Sequence, residues 1–447
     1  MQRPIEMQNI QRAAVFGMGK SGVAAVTLLQ SLGIETHAVN EGDPDVWGKP
    51  LERILERCYW HQQQNAAEIF SKVDLIIISP GIPATHEVLK LAVQKKLRII
   101  SEIELAFWFC QKTPVIAITG TNGKTTTTTM IYEALKLAGK KVFCGGNIGT
   151  PYCEMALSVL KGESFDYAVI EVSSFQLETI EAFHPHIALM LNLTLNHSER
   201  YTGLEDYGQA KLRILKNATS SDHLIVGEES GEWVKWSEAY PAQRHLFSKA
   251  NLPADFLAHF DFSKGVLVGA HNRANYFCAW KTLSLLGIAQ LDQLFQKFIE
   301  TFAGVEHRLE FVGNFSGLKV YNDAKSTNGE ATRTALAAFE GNEPLYLVVG
   351  GKLRNETDKL LPDLVGFKNR VTKIFTIGMT TERLVNELSS EFKVEAAHDL
   401  VGLFTKVREQ KLVGSLVFSP AHPSFDQFKN YVDRGTQFKA RAREMLA

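Results

Sequence analysis

The chain has 447 residues, 45% apolar and 22% charged, and its 48 Lys plus Arg against 49 Asp plus Glu leave a net charge of −1. That is room for two to four domains, and the balanced charge argues against a general nucleic-acid or membrane-surface binder. No apolar run approaches the roughly 20 residues of a membrane helix, the N-terminus has no apolar signal segment, and the five cysteines include no CxxC pair. The expectation is therefore a cytoplasmic protein with no nucleic-acid partner, membrane insertion, disulfide framework or zinc site; nothing in the sequence suggests an obligate assembly, and a monomer is expected.

In chain order, Ala13–Gly17 is the first short apolar run that reads as a buried strand. The turn Gly17-Met18-Gly19-Lys20-Ser21-Gly22 follows, and Ser21–Leu32 reads as a helix stopped by Gly33. With Glu41 and Asp43 downstream, this turn satisfies a dinucleotide fingerprint. Its physics asks only for a diphosphate on a helix N-terminus. Further strands are expected at Leu75–Ser79, Val115–Thr119, Tyr167–Val172, Leu345–Gly350, Lys373–Gly378 and Leu416–Ser419, with a helix at Thr125–Ala138 stopped by Gly139. The stretch from about 228 to 258 reads as loops around short elements. Strands alternating with helices in three clusters predict an α/β chain with parallel sheets, in domains 1–110, 111–304 and 305–447.

The strand Val115–Thr119 runs into Gly120-Thr121-Asn122-Gly123-Lys124-Thr125 and then into a helix. Backbone N–H groups of such a turn cradle phosphate, Lys124 neutralises β/γ-phosphate charge, and the Thr125 hydroxyl suits Mg²⁺. The loop is a short variant, since Ile118 stands where the standard pattern has its first Gly. Glu171 closes a strand whose C-terminal end faces the ligand crevice, and so could hold the same Mg²⁺. His197 closes another apolar segment and reads as a metal ligand or a substrate contact. Lys211 lies in a helical pattern and by itself reads as a solvated helix lysine.

GTNGKT at Gly120–Thr125, EVSSFQLE at Glu171–Glu178, LNLTLNH at Leu191–His197 and His271-Asn-Arg-Ala-Asn275 together resemble the Mur ligase family, over nearly the whole chain. The segments Val15–Gly22, Ser79–Pro83, Tyr321–Asn328 and Ser419–Tyr431 are similar to those of its D-glutamate-adding members. The resemblance implies a Rossmann-like N-terminal domain, a central P-loop ATPase-type domain and a Rossmann-like C-terminal domain. It implies that ATP drives amide formation between D-glutamate and UDP-N-acetylmuramoyl-L-alanine through an acyl phosphate, in peptidoglycan precursor synthesis.

The resemblance also implies residue roles. Lys124, Glu171, His197 and Lys211 are catalytic. ATP is held by Gly120, Thr121, Asn122, Gly123, Lys124, Thr125 and Thr126, by Asn272 and Asn275, and by Arg308 and Asp323 from the third domain. Two Mg²⁺ ions use Thr125, Glu171, His197 and Lys211, the last as a carbamate, which turns a cation into an anion suited to metal. The UDP-sugar is bound by Gly17, Met18, Gly19, Lys20, Ser21, Asn40, Glu41, Gly81 and Asn147, and D-glutamate by Lys325, Thr327, Ser424 and Tyr431. Three positions depart from the family pattern: Asn196 where many relatives have Asp, Lys352–Asn355 after Gly351, and Tyr431 in place of Phe. A folylpolyglutamate-type relative would lack both terminal signatures, and a P-loop GTPase would need a guanine-reading NKxD motif, which is absent.

Overall fold

The central strands of this chain, such as Leu75–Ile78, Val115–Thr119 and Leu345–Gly350, are apolar and buried on both sides, as strands are when helices cover both faces of a sheet. Alternate residues of one strand go to opposite cores: Ala13 and Val15 join one cluster, Ala14 and Phe16 the other. The computed structural model describes residues 3–40, 58–197, 200–267, 271–339, 341–353 and 359–446. It divides into two compact units, Met1–Leu257 with Asn275–Phe295, and Ala258–Ala274 with Gln296–Ala447.

The first unit holds two sheets. One comprises β1 (Arg12–Phe16), β2 (Glu35–Asn40), β3 (Tyr59–Gln62), β4 (Leu75–Ile78) and β5 (Arg98–Ser101), in the order β3-β2-β1-β4-β5. All its pairings are parallel. The chain leaves β1 in one direction and returns to β4 on its other side, so the crevice outside β1 and β4 is the switch point where such sheets bind ligands. The other comprises β6 (Val115–Thr119), β7 (Val142–Gly146), β8 (Tyr167–Glu171), β9 (Ile187–Met190), β10 (His223–Gly227) and β11 (Gln243–Phe247), in the order β11-β10-β9-β6-β8-β7. It too is wholly parallel, with β6 between β8 and β9.

One core runs from the first sheet to the second, through the helices Lys20–Ser31, Glu102–Cys110 and Tyr152–Leu160. Two buried carboxylates tie this joint. Glu102 accepts from the Cys153 amide at 2.6 Å. Glu104 accepts from the amides of Glu181, Ala182 and Phe183 and from the Trp108 indole, at 2.7–2.9 Å.

The second unit holds β12 (Glu310–Phe315), β13 (Leu318–Asn322), β14 (Leu345–Gly350), β15 (Val371–Ile377), β16 (Val394–His398) and β17 (Gly414–Phe418), in the order β12-β13-β17-β14-β15-β16. Only the edge pair β12–β13 is antiparallel. Every strand expected from sequence is present, with ends shifted by up to two residues. The helices Lys20–Ser31 and Lys124–Leu137 are followed by Gly33 and Gly139 at φ +68° and +74°, the left-handed conformation that ends a helix. The aperiodic stretch contains the helices Gly231–Ser237 and Ala254–His259 around β11.

Candidate active site

At the switch point of the first sheet, the turn after β1 wraps the start of the helix Lys20–Ser31. Gly17 has φ +92°, and a Cβ on Gly22 would sit 2.0 Å from the Gly17 carbonyl oxygen, so only glycine fits either position. Asn40 Oδ1 accepts from the Met18 amide at 3.0 Å, and Ser79 Oγ donates to the Gly17 carbonyl at 2.6 Å. The result is a cleft of about 300 Å³ lined by Gly17–Ser21, Asn40 and Ser79–Ile82. No side chain caps this helix, whose first residues line the cleft, and an uncapped helix N-terminus carries the partial positive charge that suits an anion. Glu41 and Asp43 lie outside the described residues. The Asn147 side-chain amide donates to Glu171 Oε1 at 2.8 Å, at the carboxyl end of β8.

The phosphate loop follows β6, the strand between β8 and β9 in the second sheet. Gly120 and Gly123 take φ +153° and +83°, and the helix Lys124–Leu137 starts behind them with no side-chain cap. Asn192, at the end of β9, fixes the loop. Its carbonyl accepts from the Thr121 amide, its Oδ1 from the Asn122 amide, and its Nδ2 donates to the Asn122 carbonyl, each at 2.9 Å. Lys124 Nζ donates to the carbonyls of Gly120 and Thr121 at 2.9 Å. Thr125 Oγ1 donates to Glu171 Oε2 at 2.9 Å, and Glu171 is 2% exposed. Thr126 lies half-buried on the same first turn. Asn275, on the helix His271–Leu285, accepts from Thr127 Oγ1 at 3.2 Å, and three residues earlier on that helix Asn272 is buried.

Lys211 corrects the sequence expectation: it is 1% exposed, not solvated. Its helix, Leu204–Leu212, turns this face inward, so Nζ lies 3.1 Å from the Gly120 carbonyl oxygen and 4.6 Å over the Tyr207 ring. Burial, and then the charge of Lys124, hold its amine well below the usual lysine range, against an opposing pull from Glu171. His197 is half-buried at φ +58°, edge-on to Phe175 at 4.8 Å and to Tyr207 at 6.0 Å. Its amide donates to the Asn196 side-chain oxygen at 2.9 Å.

The donor set around Glu171 suits Mg²⁺. A carboxylate and a hydroxyl are hard oxygen ligands beside a glycine cradle, and Mg²⁺ is typically held by one or two carboxylates plus phosphates. Among the described residues there is no group of three or more His, Cys, Asp or Glu placed to hold a metal unaided.

In the second unit, Asp323 is buried at the end of β13. Ser419 Oγ donates to its Oδ2 at 2.7 Å and the Leu309 amide to its Oδ1 at 3.2 Å. Burial pushes its carboxyl up to about 6, against hydrogen bonds from Ser326 and Ser419 and the charge of Arg308. Arg308 and Lys325 are exposed. The Tyr431 ring meets His307 edge-on at 6.2 Å. Thr327 lines a cavity of about 450 Å³ with Lys359 and the Ala421–Pro423 turn, and buried Ser424 continues that turn. Of the Lys352–Asn355 departure, Arg354 and Asn355 lie outside the described residues.

Two positioning residues were not singled out from sequence. Asn192 had a signal, because it sits inside LNLTLNH. Arg434 had none: it is fully buried within the last helix, donating to the carbonyls of His422 at 2.8 Å and Ala324 at 3.0 Å and so bracing both C-terminal motifs.

Comparison with known proteins agrees with this arrangement. Residues 11–101 match the MurD-like N-terminal domain of Mur ligases, and residues 118–281 the Mur ligase middle domain. The UDP-N-acetylmuramoylalanine–D-glutamate ligase of Aquifex aeolicus (strain VF5) is 36% identical over 432 residues, covering 95% of this chain and 97% of that protein. The enzyme of the same name from Bacillus cereus (strain Q1) is 36% identical over 479 residues, covering 100% of both. The fold resembles that of UDP-N-acetylmuramate–alanine ligase MurC from Thermotoga maritima, with a TM-score of 0.55 at 17% identity, covering 98% of this chain and 100% of that one. It also resembles MurF from Acinetobacter baumannii, with a TM-score of 0.56 at 15% identity, covering 98% and 93%. The chain therefore belongs to the Mur ligase family, in the branch of its UDP-N-acetylmuramoylalanine–D-glutamate ligases.

Proposed function

We propose that this chain joins the amine of D-glutamate to the alanyl carboxylate of UDP-N-acetylmuramoyl-L-alanine, with ATP consumed. The observation that carries the reading is 36% identity to ligases of that name over 95% or more of the chain. The reaction runs through an acyl phosphate of the alanyl carboxylate, which the glutamate amine attacks with release of phosphate. ATP supplies the phosphoryl group and Mg²⁺ neutralises charge on the transferring oxygens.

The chain's own groups orient and stabilise. The N–H groups of Gly123–Thr126 receive phosphate oxygens, those of Thr121 and Asn122 being turned to Asn192, while Lys124 adds positive charge and Thr125 with Glu171 presents oxygens for Mg²⁺. A buried amine with a lowered pKa supports carbamate formation at Lys211: the neutral amine attacks CO₂ and loses a proton, giving an anionic oxygen pair beside the loop. That anion and His197 would hold a second Mg²⁺, which would supply further positive charge for the transferred phosphoryl group. The cleft of the first sheet, lined by Gly17–Ser21, Asn40 and Gly81, takes the UDP-sugar, and Glu41 and Asn147 serve the same substrate. Asn272, Asn275, Arg308 and Asp323 serve ATP, and Lys325, Thr327, Ser424 and Tyr431 serve D-glutamate. In this reading residues 1–110, 111–304 and 305–447 are the sugar, ATP and amino-acid domains of a cytoplasmic monomer.

The test is phosphate release with Mg²⁺, ATP and UDP-N-acetylmuramoyl-L-alanine, comparing D-glutamate, L-glutamate and no amino acid. Release that depends on D-glutamate, with the UDP-dipeptide found by mass, is expected. Release with a different amino acid only would overturn the reading.

A further inference from the structure

Arg200 follows His197 in the chain, yet none of the roles above uses it. Its side chain is 10% exposed and pairs with Glu178, Nε lying 3.0 Å from Oε1 and Nη2 meeting Oε2. The other edge of the guanidinium reaches the first sheet: Nη1 donates to the Pro80 carbonyl at 3.3 Å and Nη2 to the Ile82 carbonyl at 3.5 Å. Its face lies 4.1 Å over the Phe175 ring, the same ring that meets His197 at 4.8 Å. The Tyr201 hydroxyl donates to Glu178 Oε1 at 2.6 Å, which holds that carboxylate against the arginine. The amides of Arg200 and Tyr201 both donate to the His197 carbonyl, at 2.9 and 3.0 Å, tying Arg200 to the residue that carries the imidazole.

Pro80 and Ile82 form one wall of the cleft outside β1 and β4. We propose that Arg200 is a positioning residue for the UDP-sugar substrate: one guanidinium fixes the Pro80–Ile82 wall and the aromatic bed of His197 in the same frame. This rests on the ligase reading above, which places the sugar in that cleft. The rigid fork of arginine suits the task, since it serves a carboxylate, two carbonyls and a ring at once. A lysine ammonium keeps the charge near Glu178 but cannot span the carbonyls. The phosphate loop is held separately, by Asn192 and by the Thr121–Thr194 pair. The guanidinium therefore bears on the sugar cleft and on the bed of His197, and not on the phosphate loop that takes ATP.

The experiment compares wild type, Arg200→Lys and Glu178→Gln. It measures calorimetric binding of UDP-N-acetylmuramoyl-L-alanine, steady-state KM for that substrate and for ATP, and thermal unfolding. Arg200→Lys is expected to weaken binding and raise KM for the UDP substrate about tenfold, because small misplacements of a positioning wall carry factors of that order. KM for ATP should stay within about twofold. Glu178→Gln should shift the same substrate in the same direction, and the double variant should show less than the sum of the two effects. Normal affinity for the UDP substrate in folded Arg200→Lys and Glu178→Gln overturns the proposal, and so does an equal rise in KM for ATP. If wild type binds the UDP substrate but makes no amide with D-glutamate, the ligase reading falls while binding still decides the role of Arg200.

Discussion

Replacing Glu104 with glutamine tests how the first and second sheets are joined. Glu104 is fully buried. Its Oε2 accepts from the Glu181 and Phe183 amides at 2.9 Å, and its Oε1 from the Ala182 amide and Trp108 Nε1 at 2.7 Å. All four partners are donors, so only a group with two acceptor oxygens satisfies them. Glutamine has one such oxygen, and its NH₂ must face the other pair of donors whichever way the amide is turned. Each buried donor left unmade costs about 1–3 kcal/mol, and the relief of desolvating a charge offsets part of the sum. The expected net loss is about 3 kcal/mol, concentrated in the segment 181–183 that leads into β9. Urea unfolding followed by tryptophan fluorescence reads the loss, and hydrogen exchange reads its location. A variant within about 0.5 kcal/mol of wild type, with unchanged protection at residues 181–183, would refute the reasoning.

Other outcomes follow from the same geometry. Burial raises the Glu102 carboxyl from 4.5 to about 7, against the Cys153 hydrogen bonds. The folded chain thus binds a proton that the unfolded chain releases between those values, and stability falls as pH rises through that window. Glu102→Gln should flatten this dependence and gain up to about 3 kcal/mol at pH 8, which urea titrations at pH 5 and 8 measure, and an unchanged slope would count against it. Asn192→Ala, which removes both side-chain bonds to Asn122, should raise KM for ATP about tenfold with KM for the UDP substrate unchanged. Lys211→Ala should lose activity and recover part of it with added short carboxylic acids; full activity without them would show that no carbamate is needed.

Much of the fold was legible because its signals are local. Strands covered on both faces read as unbroken apolar runs, and glycines with positive φ mark where two helices stop. The phosphate loop was legible for the same reason: cradle glycines, lysine and threonine are contiguous, and the backbone that they require is set within six residues, Gly120–Thr125. The turn of the first sheet is legible by itself as a diphosphate site; Gly81 entered through the family resemblance, and the structure seats the β4 loop that carries it beside that turn, from about sixty residues away.

What only the tertiary structure decided lies in contacts between remote segments. Lys211 reaches the Gly120 carbonyl across 91 residues, and Asn192 holds Asn122 across 70. Glu104 serves amides 77 to 79 residues away. Asn147 meets Glu171 because β7 lies beside β8 in the second sheet. Helical periodicity gives the face on which Lys211 lies, but not what covers that face. Burial removes water from an amine or a carboxyl only once a distant strand is packed against it, and that desolvation sets its charge and its chemistry.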